Sequence, residues 1–125
     1  MCGIFGGFGL DDNSNKNINS LTESFSNRGP DDFGSWIDKN VNFVLGFRRL
    51  SILDLSMNGH QPMISSNKEY AMVFNGEIYN FSELKNEINN NEFNVSWKGT
   101  SDSEILLKCF ELWGIDKTLE KIDGM

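Results

Sequence analysis

The chain has 125 residues, enough for one domain that buries about two thirds of its unfolded surface and too few for two catalytic domains. Its 18 Asp and Glu against 11 Lys and Arg leave a net charge of −7, with the basic residues scattered, which argues against a phosphate backbone or an anionic membrane as partner. No apolar run approaches the length of about 20 that a membrane span needs, and the two cysteines show neither a disulfide framework nor zinc spacing. A cytoplasmic, reducing setting is therefore expected.

From the start, Cys2 to Gly9 reads as an apolar strand whose glycines permit close backbone approach. It has no basic flank and is closed by Asp11 and Asp12, unlike a signal peptide. A polar turn over 11–16 leads to a short amphipathic helix carrying Ile18, Leu21 and Phe25, which ends before Gly29-Pro30. Two strands follow, over 33–37 and 41–50, joined at Asp38-Lys39-Asn40. After a polar loop from Leu55 to Lys68, the apolar continuity of Tyr70 to Phe74 predicts a buried strand. Phe81, Leu84 and Ile88 stand at helical spacing, and Phe93 to Trp97 reads as a further strand. Ser101 or Asp102 can cap a third helix with Ile105, Leu106, Cys109, Phe110 and Trp113 on one face, which makes Cys109 a core residue. A last helical turn over 117–122 leads to Asp123-Gly124-Met125 with no capping element. The alternation of strands and helices points to an α+β or α/β domain.

Chemistry enters at Cys2. Loss of Met1 would leave a residue carrying both a thiol and a free α-amine, and an α-amine titrates at roughly 7.7–8.0, so one residue can serve as nucleophile and base. His60, the single histidine, is then not needed. Position alone suits a small buried hydrophobe in an edge strand somewhat better. Four other segments carry polar residues that a strand or helix does not require: Arg28 to Asp31, Arg48 to Ser51, Asn75-Gly76-Glu77 and Thr100-Ser101-Asp102. Each has an ordinary alternative. Asn75-Gly76 after an apolar strand is a strong hairpin signal, Arg28-Gly29-Pro30-Asp31 is common turn composition, Asp102 suits a helix cap and Arg49 a solvated strand end.

In this order the segments resemble the class II glutamine amidotransferase domain that opens glutamine-hydrolysing asparagine synthetases. The resemblance rests on Met1-Cys2-Gly3-Ile4-Phe5-Gly6, Arg28-Gly29-Pro30-Asp31, Arg49-Leu50-Ser51-Ile52-Leu53-Asp54, Gln61-Pro62, Val73 to Asn80 and Gly99 to Glu104, and so spans nearly the whole chain. It implies the four-layer αββα sandwich of N-terminal-nucleophile hydrolases, truncated at its C-terminal end, with residues 1–125 as one incomplete domain. Cys2 would attack the glutamine carboxamide and pass through a thioester. Asn75 and Gly76 would form the oxyanion hole, Arg49 would grip the α-carboxylate, and Asp102 with Glu77 would pair with the α-ammonium. Leu50, Ser51, Ile52 and Leu53 would supply backbone groups and pocket wall.

The resemblance further implies L-glutamine as substrate, a synthetase domain in cis, and a homodimer as an open arrangement for the longer protein. It implies no metal or organic cofactor for glutamine hydrolysis, with ATP and Mg2+ on the synthetase domain, where aspartate would be amidated. Two departures stand out: Asn27 replaces a common histidine, and Phe47-Arg48 precedes the binding arginine where a small residue or acidic pair is common. Neither position carries a catalytic step. Two other readings remain: a glutaminase that feeds another acceptor, such as a sugar carboxylate of surface polysaccharide, and a non-catalytic glutamine-binding fragment whose unfinished sheet aggregates.

Overall fold

A computed structural model describes residues 2–9, 14–51, 56–91 and 95–125. The chain divides into two units: Met1–Ile52, His60–Met63 and Ala71–Asn75 form the first, and Leu53–Gly59, Ile64–Tyr70 and Gly76–Met125 the second. Both helix and antiparallel sheet are present, in agreement with the α+β expectation.

The first unit is built on β1 (Gly3–Phe8), β2 (Asp32–Asp38) and β3 (Phe43–Arg49), an antiparallel sheet with β3 at its centre. Asp38 closes the β2–β3 turn by accepting the Asn40 N–H at 2.8 Å, and Asn42 takes the left-handed φ of 51° that its side chain tolerates. In register, Gly3 stands opposite Arg48, Phe5 opposite Gly46 and Phe33 opposite Arg48. Side chains alternate across a strand, so these positions share one face, and Cys2, Ile4, Asp32, Gly34, Phe47 and Arg49 belong to the other. Helix α1 (Ser14–Ser24) lies on the first face, where Arg48 Nε donates to the Thr22 carbonyl at 2.9 Å. Phe5 can cross β3 there only because Gly46 has no side chain: a Cβ would sit 2.0 Å from its ring. That ring stacks on Phe25, with centroids 6.1 Å apart. Ile18, Val44 and Phe47 are almost fully buried.

Two short strands, β4 (Met63–Ile64) and β5 (Ala71–Met72), pair with each other. The buried strand predicted over 70–74 is thus shorter and only half-buried. It stops because the Phe74 N–H is taken by the Gln61 side chain at 2.6 Å rather than by a neighbouring strand.

In the second unit, α2 (Phe81–Asn90), α3 (Asp102–Trp113) and α4 (Ile115–Leu119) bury Leu84, Ile88, Ile105, Leu106, Leu107, Cys109 and Thr118. Ser101, not Asp102, is the α3 cap: its hydroxyl accepts the Glu104 N–H at 3.2 Å, while Glu104 accepts the N–H groups of Lys98 and Gly99 at 2.8 Å each. Gly114, at φ +80°, ends α3 and turns the chain into α4. Burial raises the Glu111 carboxyl, but bonds from Lys108 and the Asn67 N–H outweigh it and hold the group below the usual carboxylate range.

Two expectations are corrected here. Val95 to Trp97 is not a strand, because Trp97 is tied to α2 by donating to Asn89 at 2.9 Å and lying under Lys85; Phe93 and Asn94 fall outside the described residues. Asp123–Met125 is not a loose end. Glu77 and Met125 exchange two N–H···O bonds of 2.9 Å, and the Tyr79 N–H donates to Asp123 at 2.7 Å, so Glu77–Tyr79 gains an antiparallel partner. Asn75-Gly76 therefore leads into this pairing and not into a hairpin with β5.

Candidate functional site

Cys2 lies one residue before β1, half-buried, with its thiol against the backbone of Leu50. The Leu50 N–H donates to Sγ at 3.3 Å, and Sγ–H donates to the Leu50 carbonyl at 3.7 Å. Because Leu50 follows Arg49 directly, the candidate nucleophile and the candidate carboxylate anchor sit at adjoining strand ends.

The turn Arg28-Gly29-Pro30-Asp31 holds that junction together. Arg28 Nε donates to the Cys2 carbonyl at 3.3 Å, the Asp31 N–H donates to the Arg49 carbonyl at 3.1 Å, and the Ser51 N–H donates to the Asp31 carboxylate at 2.8 Å. Gly29 makes this contact possible, since a Cβ there would lie 2.4 Å from the Arg48 carbonyl carbon and 2.6 Å from the Arg49 nitrogen. In the sequence the turn stood out as a motif without a role. Its role is to seat β3 against Cys2, and the signal for it was Gly-Pro beside two charged residues.

Arg48 and Arg49 are both buried but belong to opposite faces of β3. Arg48 serves the fold: besides Thr22 it pairs with Glu23, and its guanidinium sits 5.0 Å above the Phe33 ring. Arg49 belongs to the face of Cys2, Asp32 and Gly34. The unusual Phe47-Arg48 pair is thereby accounted for, Phe47 as core and Arg48 as the tie to α1. On the Arg49 face, His60 Nδ1 lies 2.8 Å from Asp32 Oδ2.

Asn75 ends the first unit, whereas Gly76, Glu77 and Asp102 lie in the second. Within the second unit the structure joins Asp102 to the Glu77 segment. Asp102 is buried, and its carboxylate accepts the Ile78 N–H at 3.0 Å and the Ser103 N–H at 2.8 Å. Glu77 is exposed and fixed through its backbone to Met125. These bonds tie the Asp102 carboxylate to the residue that follows Glu77. Of the positions expected to form pocket wall, Leu50 and Ser51 are half-buried, while Ile52 and Leu53 lie outside the described residues.

Cys109 differs chemically from Cys2. It is inaccessible on α3, and burial, with Glu87 adding to it, pushes its thiol up to about 12. Among the described residues no three His, Cys, Asp or Glu side chains converge as metal ligands, and no helix is long and apolar enough to cross a membrane.

The first unit thus presents a half-buried cysteine at a strand end beside a buried arginine, and the second unit holds a buried acid. The family model "Glutamine amidotransferase domain" matches residues 1–125, and the chain belongs to that family. It is 43% identical over 98 residues to asparagine synthetase [glutamine-hydrolyzing] 2 of Bacillus subtilis, covering 78% of this chain and 12% of that protein. Asparagine synthetase [glutamine-hydrolyzing] 1 of the same bacterium is 35% identical over 130 residues, and its Arabidopsis thaliana counterpart 31% over 128, each match covering 100% of this chain. The chain spans 20% of the length of each of these two relatives.

Proposed function

We propose that the chain is the glutaminase part of a glutamine-hydrolysing asparagine synthetase, acting in the cytoplasm within a four-layer αββα sandwich to which residues 1–125 contribute. The observation that carries this reading is the Cys2 thiol held at the Leu50 backbone, next to Arg49, in a chain of the glutamine amidotransferase family.

Once Met1 is removed, the Cys2 amine takes the thiol proton as Sγ attacks the side-chain carbonyl carbon of glutamine. The carbonyl electron pair moves onto oxygen, which the Asn75 amide and the Gly76 N–H stabilise; one such donor is worth about 2.7–4 kcal/mol in the transition state. Collapse expels the nitrogen, which recovers the proton from the amine and leaves as ammonia. Water then cleaves the thioester to glutamate. Arg49 grips the α-carboxylate and Asp102 with Glu77 the α-ammonium, so both charged ends of glutamine are read and simple amides are rejected. Leu50 to Leu53 complete the wall.

The names of the relatives favour aspartate as the acceptor of the ammonia. Its activation would take place on a synthetase domain in cis, where ATP and Mg2+ would be held; no residue of this chain is assigned to them. Cys2→Ala in the full-length protein should abolish glutamine-dependent asparagine formation while leaving ammonia-dependent formation in place. Glutamine-dependent turnover that survives the substitution overturns the assignment of Cys2, and ammonia transfer to a sugar carboxylate instead of aspartate overturns the acceptor.

A further inference from the structure

Gln61 takes no part in the mechanism above, yet it ties the residue before Asn75 to the segment that rests on the sheet face carrying Cys2 and Arg49. Its side chain is buried, and its Oε1 accepts the Phe74 N–H at 2.6 Å, one residue before Asn75. The backbone of Gln61 rests on β2 where Gly34 leaves room: a Cβ on Gly34 would stand 2.1 Å from the Gln61 carbonyl oxygen and 2.9 Å from the His60 ring. His60 fixes the same segment by pairing with Asp32 at 2.8 Å, and Asp32 is the register partner of Arg49. A continuous path thus runs from Arg49 through Asp32, His60 and Gln61 to the peptide that delivers Asn75, all inside the first unit.

We propose that Gln61 is a positioning residue for the oxyanion hole: its side-chain Oε1 sets the Val73-Phe74 peptide, and through the following residue the Asn75 amide, against the β2–β3 face. The proposal rests on the glutaminase reading and names no new reacting group. Its chemistry follows from position. Asn75 follows the end of β5 by three residues, and the Phe74 N–H finds its acceptor in a side chain, which does there what a neighbouring strand does elsewhere. An oxyanion donor acts only when it is preorganised at the place where charge develops, and displacement of about 1 Å can cost about 10²-fold in rate.

The test uses the full-length protein. Gln61→Met keeps the buried volume and deletes the acceptor, and Gln61→Glu restores an acceptor at the same reach. Gln61→Met should lower kcat for glutamine hydrolysis by about 10²-fold with KM changed less than about threefold, because Arg49 and Asp102 still hold substrate. Gln61→Glu should recover at least a tenth of the original kcat. In an Asn75→Ala background, Gln61→Met should cost nothing further, since a residue acting through Asn75 has nothing left to position.

An equal loss in the Asn75→Ala background overturns the proposal, as does a rise in KM at constant kcat or an unchanged kcat. Should Gln61→Met fail to fold, as judged by its thermal transition, Gln61→Glu decides: a folded Gln61→Glu protein with kcat below a tenth of normal overturns the proposal, and one above it supports it. Cys2→Ala run alongside separates the two readings. Glutamine hydrolysis persisting in that variant would sink the glutaminase assignment itself, whatever Gln61 does.

Discussion

Two cysteines of one chain are given opposite chemistry by their surroundings. Cys2 is half-buried and reaches both backbone groups of Leu50, whereas Cys109 is sealed within α3, with its thiol pushed up to about 12 by burial first and by Glu87 next. A buried thiol whose folded pKa lies above its unfolded value near 9 favours the fold only while protonated. Its contribution is complete below about pH 9 and is lost as pH rises toward 12. Alkylation with iodoacetamide at pH 8, read by peptide mass mapping, should therefore label Cys2 in the native protein and reach Cys109 only after urea unfolding. Equal labelling of both in the native state contradicts this assignment. The sequence pattern placed Cys109 correctly because helical spacing reports burial directly. It could not assign work to Asp31 or Gln61, because their partners are backbone groups of residues distant in sequence, Ser51 and Phe74, and side-chain identity carries no trace of such bonds.

Elements with strong periodicity, such as β1, α2 and α3, were legible, and those whose partners are remote were not. Asn75-Gly76 has the composition of a hairpin turn, and only the pairing of Glu77–Tyr79 with Asp123–Met125 shows why it is not one. In the proposed function that pairing would also matter, because Glu77 is held through its backbone and Ile78, beside it, is the donor to Asp102. Gly124 is its weak point: a Cβ there would lie 2.3 Å from the Glu77 carbonyl oxygen, a backbone atom that cannot move aside alone. Gly124→Val should separate the two segments, cost about 1–3 kcal/mol in urea unfolding, and raise KM for glutamine about tenfold through the displaced Glu77 and Asp102. Reactivity of Cys2 toward iodoacetamide should be unchanged, since its contacts lie in the other unit. A KM within twofold of normal would show that this pairing does not position the ammonium anchor.

Taken whole, the molecule combines net repulsion with apolar surface. Phe8 is 74% exposed, Phe33 58% and Val41 57%, all on or beside the three-stranded sheet, while the net charge of −7 opposes close approach of two copies. The relatives are several times longer than this chain. The balance of the two effects for residues 1–125 alone depends on ionic strength, because the Debye length falls from about 10 Å at 0.1 M salt to about 3 Å at 1 M, while apolar contact is not screened. Sedimentation velocity of this segment should show association that increases with protein concentration and with added salt. Phe8→Ser should reduce it, because Phe8 is itself exposed at the end of β1 and its ring contact is with Phe43 at the same sheet end. A monomer at all salt concentrations would mean that the exposed aromatics are too dispersed to act as one surface; association that falls with salt would place its origin in charge pairing instead.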